Sequence, residues 1–212
     1  MIEAVFFDLD GTLLDTARDM AGALNRLLVE QGQPPLDYDL IRSEVSHGAR
    51  AMIHLGFDVE DEDSDRFQQL RQRFLDIYQD NIANETTLFP HMDTILELLE
   101  TQRIPWGVVT NKPSWLTLPL LEQLLLAKRA ATIICADTAG VSKPNAKPVM
   151  DACEAVDVDP ARAIYVGDDE RDVMQPACPA LRCVAVISAV VRMWMTGERI
   201  WSWILSKNSG TG

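Results

Sequence analysis

Two aspartates, two residues apart, stand where the first apolar run of the chain ends. Ile2–Phe7 is rich in β-forming residues and leads directly into Asp8-Leu9-Asp10-Gly11-Thr12. Such a run predicts a buried strand that enters a functional turn. Asp8 and Asp10 could face one metal ion, Asp8 through its carboxylate and Asp10 through its backbone carbonyl. Magnesium prefers oxygen ligands and commonly bridges to phosphate.

Polar residues also stand at, or close behind, the ends of other predicted strands. Ligands of open parallel sheets bind at the carboxyl ends of the strands, so we expect these residues to share one site with Asp8. The segments are Thr110-Asn111-Lys112, Lys143-Pro144, and Gly167-Asp168-Asp169 with Asp172 close behind.

The chemistry that these residues predict is phosphoryl transfer. With magnesium held by Asp8, Asp10 and Asp168, Asp8 can attack phosphorus and form an acyl-phosphate. Asp10 can protonate the leaving oxygen and then activate water. Hydroxyl, amide and ammonium groups would stabilise the phosphoryl oxygens. They are supplied by Thr110, Asn111 and Lys143.

The elements that must position this site are those of a parallel α/β sheet. Short apolar runs alternate with helical periodicities, such as that of the leucines in 116–124. This alternation predicts a Rossmann-like parallel sheet flanked by helices. The predicted strands are Ile2–Phe7, Trp106–Thr110, Thr132–Cys135, Ala163–Gly167 and Arg182–Ile187.

One stretch breaks the alternation. From about Thr16 to Glu85 the periodicity is helical and no strand pattern occurs. We predict an α-helical cap domain over residues 16–86, inserted into an α/β core formed by residues 1–15 and 87–212.

Composition limits the class of ligand. The formal net charge of −13 argues against nucleic acid, and no apolar run is long enough to span a membrane. The cysteines show no disulfide or metal spacing, and the N-terminus has no signal-peptide pattern. We therefore expect a cytoplasmic monomer or homodimer that acts on a small-molecule phosphate.

The four motifs resemble, in order, those of haloacid-dehalogenase-superfamily phosphatases over roughly residues 1–186. The helical insert is similar to that family's cap, which closes over the active site and selects the substrate. The resemblance implies a Mg²⁺ cofactor and a role for each matching residue. Asp8 is the nucleophile, Asp10 the acid/base, Thr110 and Lys143 the phosphate partners and Asp168 a metal ligand, with Asp169 and Asp172 supporting the site from behind.

Within that superfamily the chain looks like the branch of phosphoglycolate phosphatases and N-acetylmuramic acid 6-phosphate phosphatases. The segments that carry this likeness are residues 46–52 and 106–113. Both substrates bear a carboxylate, which Arg50, on a predicted cap loop, could bind by a forked contact. A solvated arginine on a cap helix is an equally good interpretation.

The resemblance weakens after Asp172. Pro176 and Pro179 should shorten or kink the next helix. After about residue 187 the composition becomes foreign, with Trp201-Ser202-Trp203 as an example. Methionine and tryptophan have one codon each, so the neighbouring reading frame can be partly reconstructed, and it resembles the family's usual ending. We interpret the tail as a frameshift; a divergent tail is the alternative.

Other functions stay open at this point. They are a phosphomutase or a 2-haloacid dehalogenase of the same superfamily, and a non-catalytic product of a damaged gene. The dehalogenase is disfavoured, because Asp10 and Asp168 suit metal-assisted phosphoryl chemistry that dehalogenation does not need.

Overall fold

A five-stranded parallel sheet forms the centre of the fold. The structure is a computed structural model that describes residues 2–172 and 182–185 of the chain. Its strands are β1 (Ala4–Phe7), β2 (Leu14–Asp15), β3 (Thr87–Leu88), β4 (Trp106–Thr110), β5 (Thr132–Cys135), β6 (Ala163–Gly167) and β7 (Arg182–Ala185). The central sheet has the order β5-β4-β1-β6-β7, and β2 and β3 form a separate antiparallel pair.

The predicted α/β class is confirmed, and the strands lie where the apolar runs placed them. β1 begins at Ala4 rather than Ile2, and β7 ends at Ala185, after which the predicted strand leaves the described residues. Every residue of β1, β4 and β6 is buried. Burial on both faces explains why these strands have continuous apolar runs instead of alternating polarity.

Helices cover both faces of the sheet. They are α1 (Ala17–Glu30), α2 (Tyr38–Arg42), α3 (Gly48–Gly56), α4 (Asp65–Gln79), α5 (Met92–Thr101), α6 (Ser114–Gln123), α7 (Ala136–Ala139) and α8 (Lys147–Ala155). Because successive side chains of a strand point to opposite faces, Val5 and Phe7 join the large core cluster with α1, α4, α5 and α6. Ala4 and Phe6 pack against α8 on the other face.

The segment between β2 and β3 is helical, as its periodicity predicted. It contains α1 to α4 and a 3₁₀ turn at Val45–His47, and no strand is assigned in this part of the described chain. Leu14 pairs with Leu88, and Asp15 with Thr87. The two connections to the sheet therefore run side by side where the cap boundary was expected, although the division into domains stays a prediction.

Asp19, in α1, stabilises the connection that leads from α4 back to β3. Its buried carboxylate accepts hydrogen bonds from the backbone N–H groups of Glu85 and Thr86 and from the Thr86 hydroxyl. Nowhere in the described ranges is a helix long and apolar enough to cross a membrane. The predicted proline-shortened helix and the atypical tail both lie outside the described residues.

Candidate active site

The carboxyl ends of β1, β4 and β6 bring the first, second and fourth motifs to one edge of the sheet. Phe7 is in register with Val108 of β4 and Val166 of β6, so the three strands end together. A cavity of about 400 Å³ opens at this edge, between the sheet and the helical segment. Asp8, Asp10, Thr110, Asn111 and Lys143 all line it, as the sequence predicted.

Lys143 is a buried cation of the site. Its Nζ lies 2.7 Å from Oδ1 of Asp8 and 2.6 Å from Oδ1 of Asp172, and it donates to the hydroxyl of Tyr165 at 2.7 Å. Burial alone would lower the pKa of Lys143, but the carboxylates of Asp8 and Asp172 raise it above its ordinary value. The charge that the sequence assigned to Lys143 is therefore present and faces Asp8.

Asp8 is desolvated. Burial raises the pKa of its carboxyl to about 7, Lys143 opposes that shift, and Asp172 adds to it. A carboxylate in such a place needs positive charge close by to stay ionised at neutral pH. Lys143 supplies part of it, and a metal ion would supply the rest.

Oxygen atoms suited to a cation converge beside Asp8. The carboxylates of Asp8, Asp168 and Asp172 each bring an oxygen within 4.8 Å of the others. Asp168 has no cationic partner among the described residues: its oxygens accept hydrogen bonds from the hydroxyls of Thr12, at 2.7 Å, and Ser46, at 2.8 Å. Burial raises the pKa of Asp168. An all-oxygen set with excess negative charge is what Mg²⁺ prefers, so these residues fit that ion.

Asp172 has a different task from Asp168. Its Oδ1 accepts from Lys143 and from the Tyr165 hydroxyl at 3.0 Å, and its Oδ2 accepts from the backbone N–H of Asp169 at 2.9 Å. Both oxygens are therefore engaged by protein donors. This geometry supports the predicted supporting role, in which Asp172 holds Lys143 against Asp8.

Thr110 and Asn111, the first two residues of the second motif, make different kinds of contact. The Thr110 oxygen accepts from the backbone N–H of Lys112 at 3.1 Å; its own proton is given to no described residue, so it can be donated to a ligand. The Asn111 amide oxygen accepts a hydrogen bond from the backbone N–H of Lys143 at 2.8 Å, and its amide nitrogen donates to the backbone carbonyl of Lys143 at 3.2 Å. Asn111 thus positions Lys143, and its contact with phosphate stays a prediction.

Lys112 is a site residue to which the sequence argument gave no role. Its buried Nζ lies 2.9 Å from Oδ1 of Asp10 and 3.0 Å from the hydroxyl of Tyr78 in α4. Burial alone would lower the pKa of Lys112, but Asp10 and Tyr78 raise it above its ordinary value. The signal available in the sequence was its place directly after Thr110-Asn111 at a strand end.

The turn at Val45–His47 closes the site from the helical side. Ser46 donates to Asp168, and its carbonyl accepts a short hydrogen bond from Arg171. Arg171 also donates two hydrogen bonds to the carboxylate of Asp169. These contacts lower the pKa of the Asp169 carboxyl, although its partial burial acts to raise it. Asp169 therefore supports the site through Arg171. The sequence showed this turn only as part of the segment resembling known caps.

Gly11 allows the first and fourth motifs to approach. It has a φ of +84°, and a Cβ there would lie 2.3 Å from Oδ2 of Asp168 and 2.7 Å from the Ser46 hydroxyl. Glycine adopts this conformation without strain, and it leaves the space that any side chain would take from Asp168 and Ser46.

Arg50 lies in α3 rather than on a loop, and its predicted ligand contact is untested. It lines the cavity, but its guanidinium pairs with Glu62, and its side chain is 66% exposed. His47 pairs with Glu44 at 3.0 Å and is similarly exposed.

Comparisons with known proteins show the family to which the chain belongs. The model of the family described as "Haloacid dehalogenase-like hydrolase" matches residues 5–186. The chain is 43% identical over 185 residues to an N-acetylmuramic acid 6-phosphate phosphatase of Pseudomonas putida, covering 87% of this chain and 82% of that protein. It is 37% identical over 184 residues to a phosphoglycolate phosphatase of Xanthomonas campestris pv. campestris, with the same coverage.

A solved structure has the same fold. It is described as a predicted phosphoglycolate phosphatase from Haemophilus somnus 129pt and matches with a TM-score of 0.73 and 25% identity, over 87% of this chain and 84% of that one. The matched region of the family model ends at residue 186, where the sequence pattern also changes.

Proposed function

The chain belongs to the haloacid dehalogenase-like hydrolases, and from that premise we propose that it is a magnesium-dependent phosphomonoesterase with a phospho-enzyme intermediate on Asp8. The observation that carries the proposal is the placement of Asp8. Its desolvated carboxylate lies 2.7 Å from the Lys143 ammonium at the edge of a ligand-sized cavity, beside the carboxylate of Asp168, which has no cationic partner among the described residues.

The chemistry follows from the groups around the cavity. Mg²⁺ held by Asp8, Asp168 and the backbone carbonyl of Asp10 would neutralise charge on the phosphoryl oxygens. An oxygen of Asp8 attacks phosphorus while the bond from phosphorus to the leaving oxygen breaks. Asp10 enters this step as the carboxylic acid and gives that oxygen its proton, and the carboxylate that remains is held by the Lys112 ammonium.

The second half of the reaction returns the enzyme to its starting state. Asp10, now ionised, takes a proton from a water molecule that attacks the phosphorus of the acyl-phosphate. Inorganic phosphate leaves, and Asp8 is again a carboxylate. Lys143 faces the transferred group throughout, and the Thr110 hydroxyl can donate to one of its oxygens.

The proposed substrate is a small carboxylated or sugar phosphate. The named relatives act on N-acetylmuramic acid 6-phosphate and on phosphoglycolate, which both have a carboxylate and a phosphate. We place the activity in the cytoplasm, where reduced cysteines and phosphorylated metabolites are the rule.

Phosphate release in the presence of Mg²⁺ tests the proposal. The substrates are phosphoglycolate, N-acetylmuramic acid 6-phosphate and a generic aryl phosphate. We expect turnover that chelation abolishes and added Mg²⁺ restores, with a carboxylated phosphate as the best substrate. Full turnover by protein confirmed to be metal-free would overturn the metal-dependent mechanism.

A further inference from the structure

Arg71 differs from the other cationic side chains that line the cavity. It is half-buried, and no described residue gives it a hydrogen bond or an ion pair. The others all have acidic partners. Lys143 pairs with Asp8 and Asp172, Lys112 with Asp10, Arg171 with Asp169 and Arg50 with Glu62.

Neighbouring arginines of α4 show that Arg71 is the exception on its own helix. Arg73 donates two hydrogen bonds to the carboxylate of Glu30, at 2.7 and 2.8 Å, and Arg66 donates one to the side chain of Gln31 at 2.7 Å. These two face α1. Partial burial of an unpaired charge costs free energy, which a ligand of opposite charge would offset.

Arg71 shares one face of α4 with three other residues of the cavity wall. Phe74, Leu75 and Tyr78 follow it by three, four and seven positions, which is the spacing of a single helix face. Tyr78 marks the level of the catalytic groups, because its hydroxyl contacts Lys112. Seven residues of helix separate Arg71 from that level by about 10 Å along the axis.

The separation between Arg71 and the catalytic groups determines how long a ligand must be to contact both. The carboxylate of a two-carbon acid phosphate stays close to the phosphorus, at the level of the catalytic groups. A phosphorylated sugar ring with its carboxylate on the opposite side extends further along α4, toward Arg71. The cavity volume of about 400 Å³ lies within the range of pockets that hold ligands of that size, and Phe74 and Leu75 are apolar residues of its wall.

We infer that Arg71 binds the carboxylate of a sugar phosphate whose acidic group lies across the ring from its phosphate. The inference rests on the proposed function, which places the phosphate at Asp8. It transfers to Arg71 the role that the sequence argument offered to Arg50, whose guanidinium already has Glu62 as a partner.

A matched pair of substrates tests the inference. N-Acetylmuramic acid 6-phosphate and N-acetylglucosamine 6-phosphate share the ring, the acetamido group and the phosphate, and only the first has a carboxylate. Wild-type enzyme should prefer the first in kcat/KM. Arg71→Gln should lose roughly 10- to 100-fold on the first substrate, the usual effect of one charge-assisted contact, and little on the second.

Two further variants sharpen the test. Arg73→Gln makes the same change on the same helix and removes only an exposed pair, so both substrates should stay within about twofold of wild type. Arg71→Lys keeps the charge without the fork and should retain an intermediate preference. Melting temperatures of all variants show whether the fold is kept.

Three outcomes would overturn the inference. They are a wild-type enzyme with no preference between the two sugars, an equal loss on both in Arg71→Gln, and a selective loss in Arg50→Gln with none in Arg71→Gln. Turnover of an aryl phosphate by the same preparations reports separately on the proposed function, because that substrate has no carboxylate.

Discussion

The ammonium of Lys112 lies 2.9 Å from Oδ1 of Asp10, and the lysine side chain is only 5% exposed. The same Nζ contacts the hydroxyl of Tyr78, in the helical segment opposite the sheet. One buried lysine therefore joins the proposed acid/base residue to the wall that closes over the substrate. Lys112 should matter for stability as well as for catalysis.

Lys112→Met should destabilise the protein by leaving the Asp10 carboxylate without a partner. Breaking a buried pair costs about 3–5 kcal/mol, and the partial exposure of Asp10 should reduce that to about 2–4 kcal/mol. Adding Asp10→Asn removes the unpaired charge and should recover part of the loss. Urea unfolding of both single variants and the double variant measures this coupling; simple additivity would show that the two side chains act independently.

Asp168→Asn should raise the Mg²⁺ concentration needed for activity. Residues that merely orient metal ligands cost 10- to 100-fold in affinity when changed, so loss of a ligand should cost at least roughly tenfold. Asp151→Asn, which alters an exposed pair with Lys147, is the control. Unchanged Mg²⁺ dependence in Asp168→Asn would remove Asp168 from the metal site.

Asp8 should make the stability of the metal-free protein depend on pH. Burial raises its pKa from 3.8 to about 7. Between these values the folded protein keeps a proton that the unfolded chain has lost, so the contribution of Asp8 is complete below pH 3.8 and is lost as the pH rises to about 7.

Asp8→Asn cannot titrate and provides the reference. The free energy of unfolding of wild type, minus that of Asp8→Asn, should fall with rising pH by at most about 1.4 kcal/mol per unit, and it should level off above the folded pKa. Urea unfolding in chelator measures both proteins. A difference that rises with pH would contradict a desolvated Asp8.

The fold, and the clustering of the candidate site residues at one edge of the sheet, could be predicted because their signals are local. The strand before Asp8 and the strand before Asp168 are continuous apolar runs, and each leads directly into carboxylates of the candidate site. The β2–β3 pair has two residues in each strand, too few for any periodicity.

The partners of a charged residue were not predictable, because they depend on tertiary contacts. Arg50 and Arg71 look alike in the sequence and both line the cavity, but only the structure shows that Glu62 pairs with the first and that no described residue pairs with the second. The same holds for Asn111, whose amide bonds the backbone of Lys143.

The suspected frameshift gives a prediction about the tail. The family match ends at residue 186, and the foreign composition begins immediately after it. Replacing the residues after 187 with the neighbouring reading frame should raise solubility and the melting temperature, by about 2–4 °C for each kcal/mol gained. The preferred substrate should stay the same. Thermal unfolding of the two proteins decides the matter, and no gain in stability would favour a genuine divergent tail.

The most direct test of the account is to trap the phospho-enzyme. Wild-type protein is quenched in acid during turnover with Mg²⁺, and its peptides are examined by mass spectrometry. We expect the peptide containing Asp8 to gain the mass of one phosphoryl group, and Asp8→Asn to show neither that adduct nor turnover. Wild-type turnover in Asp8→Asn, or a phosphoryl group found on another residue, would contradict the central claim.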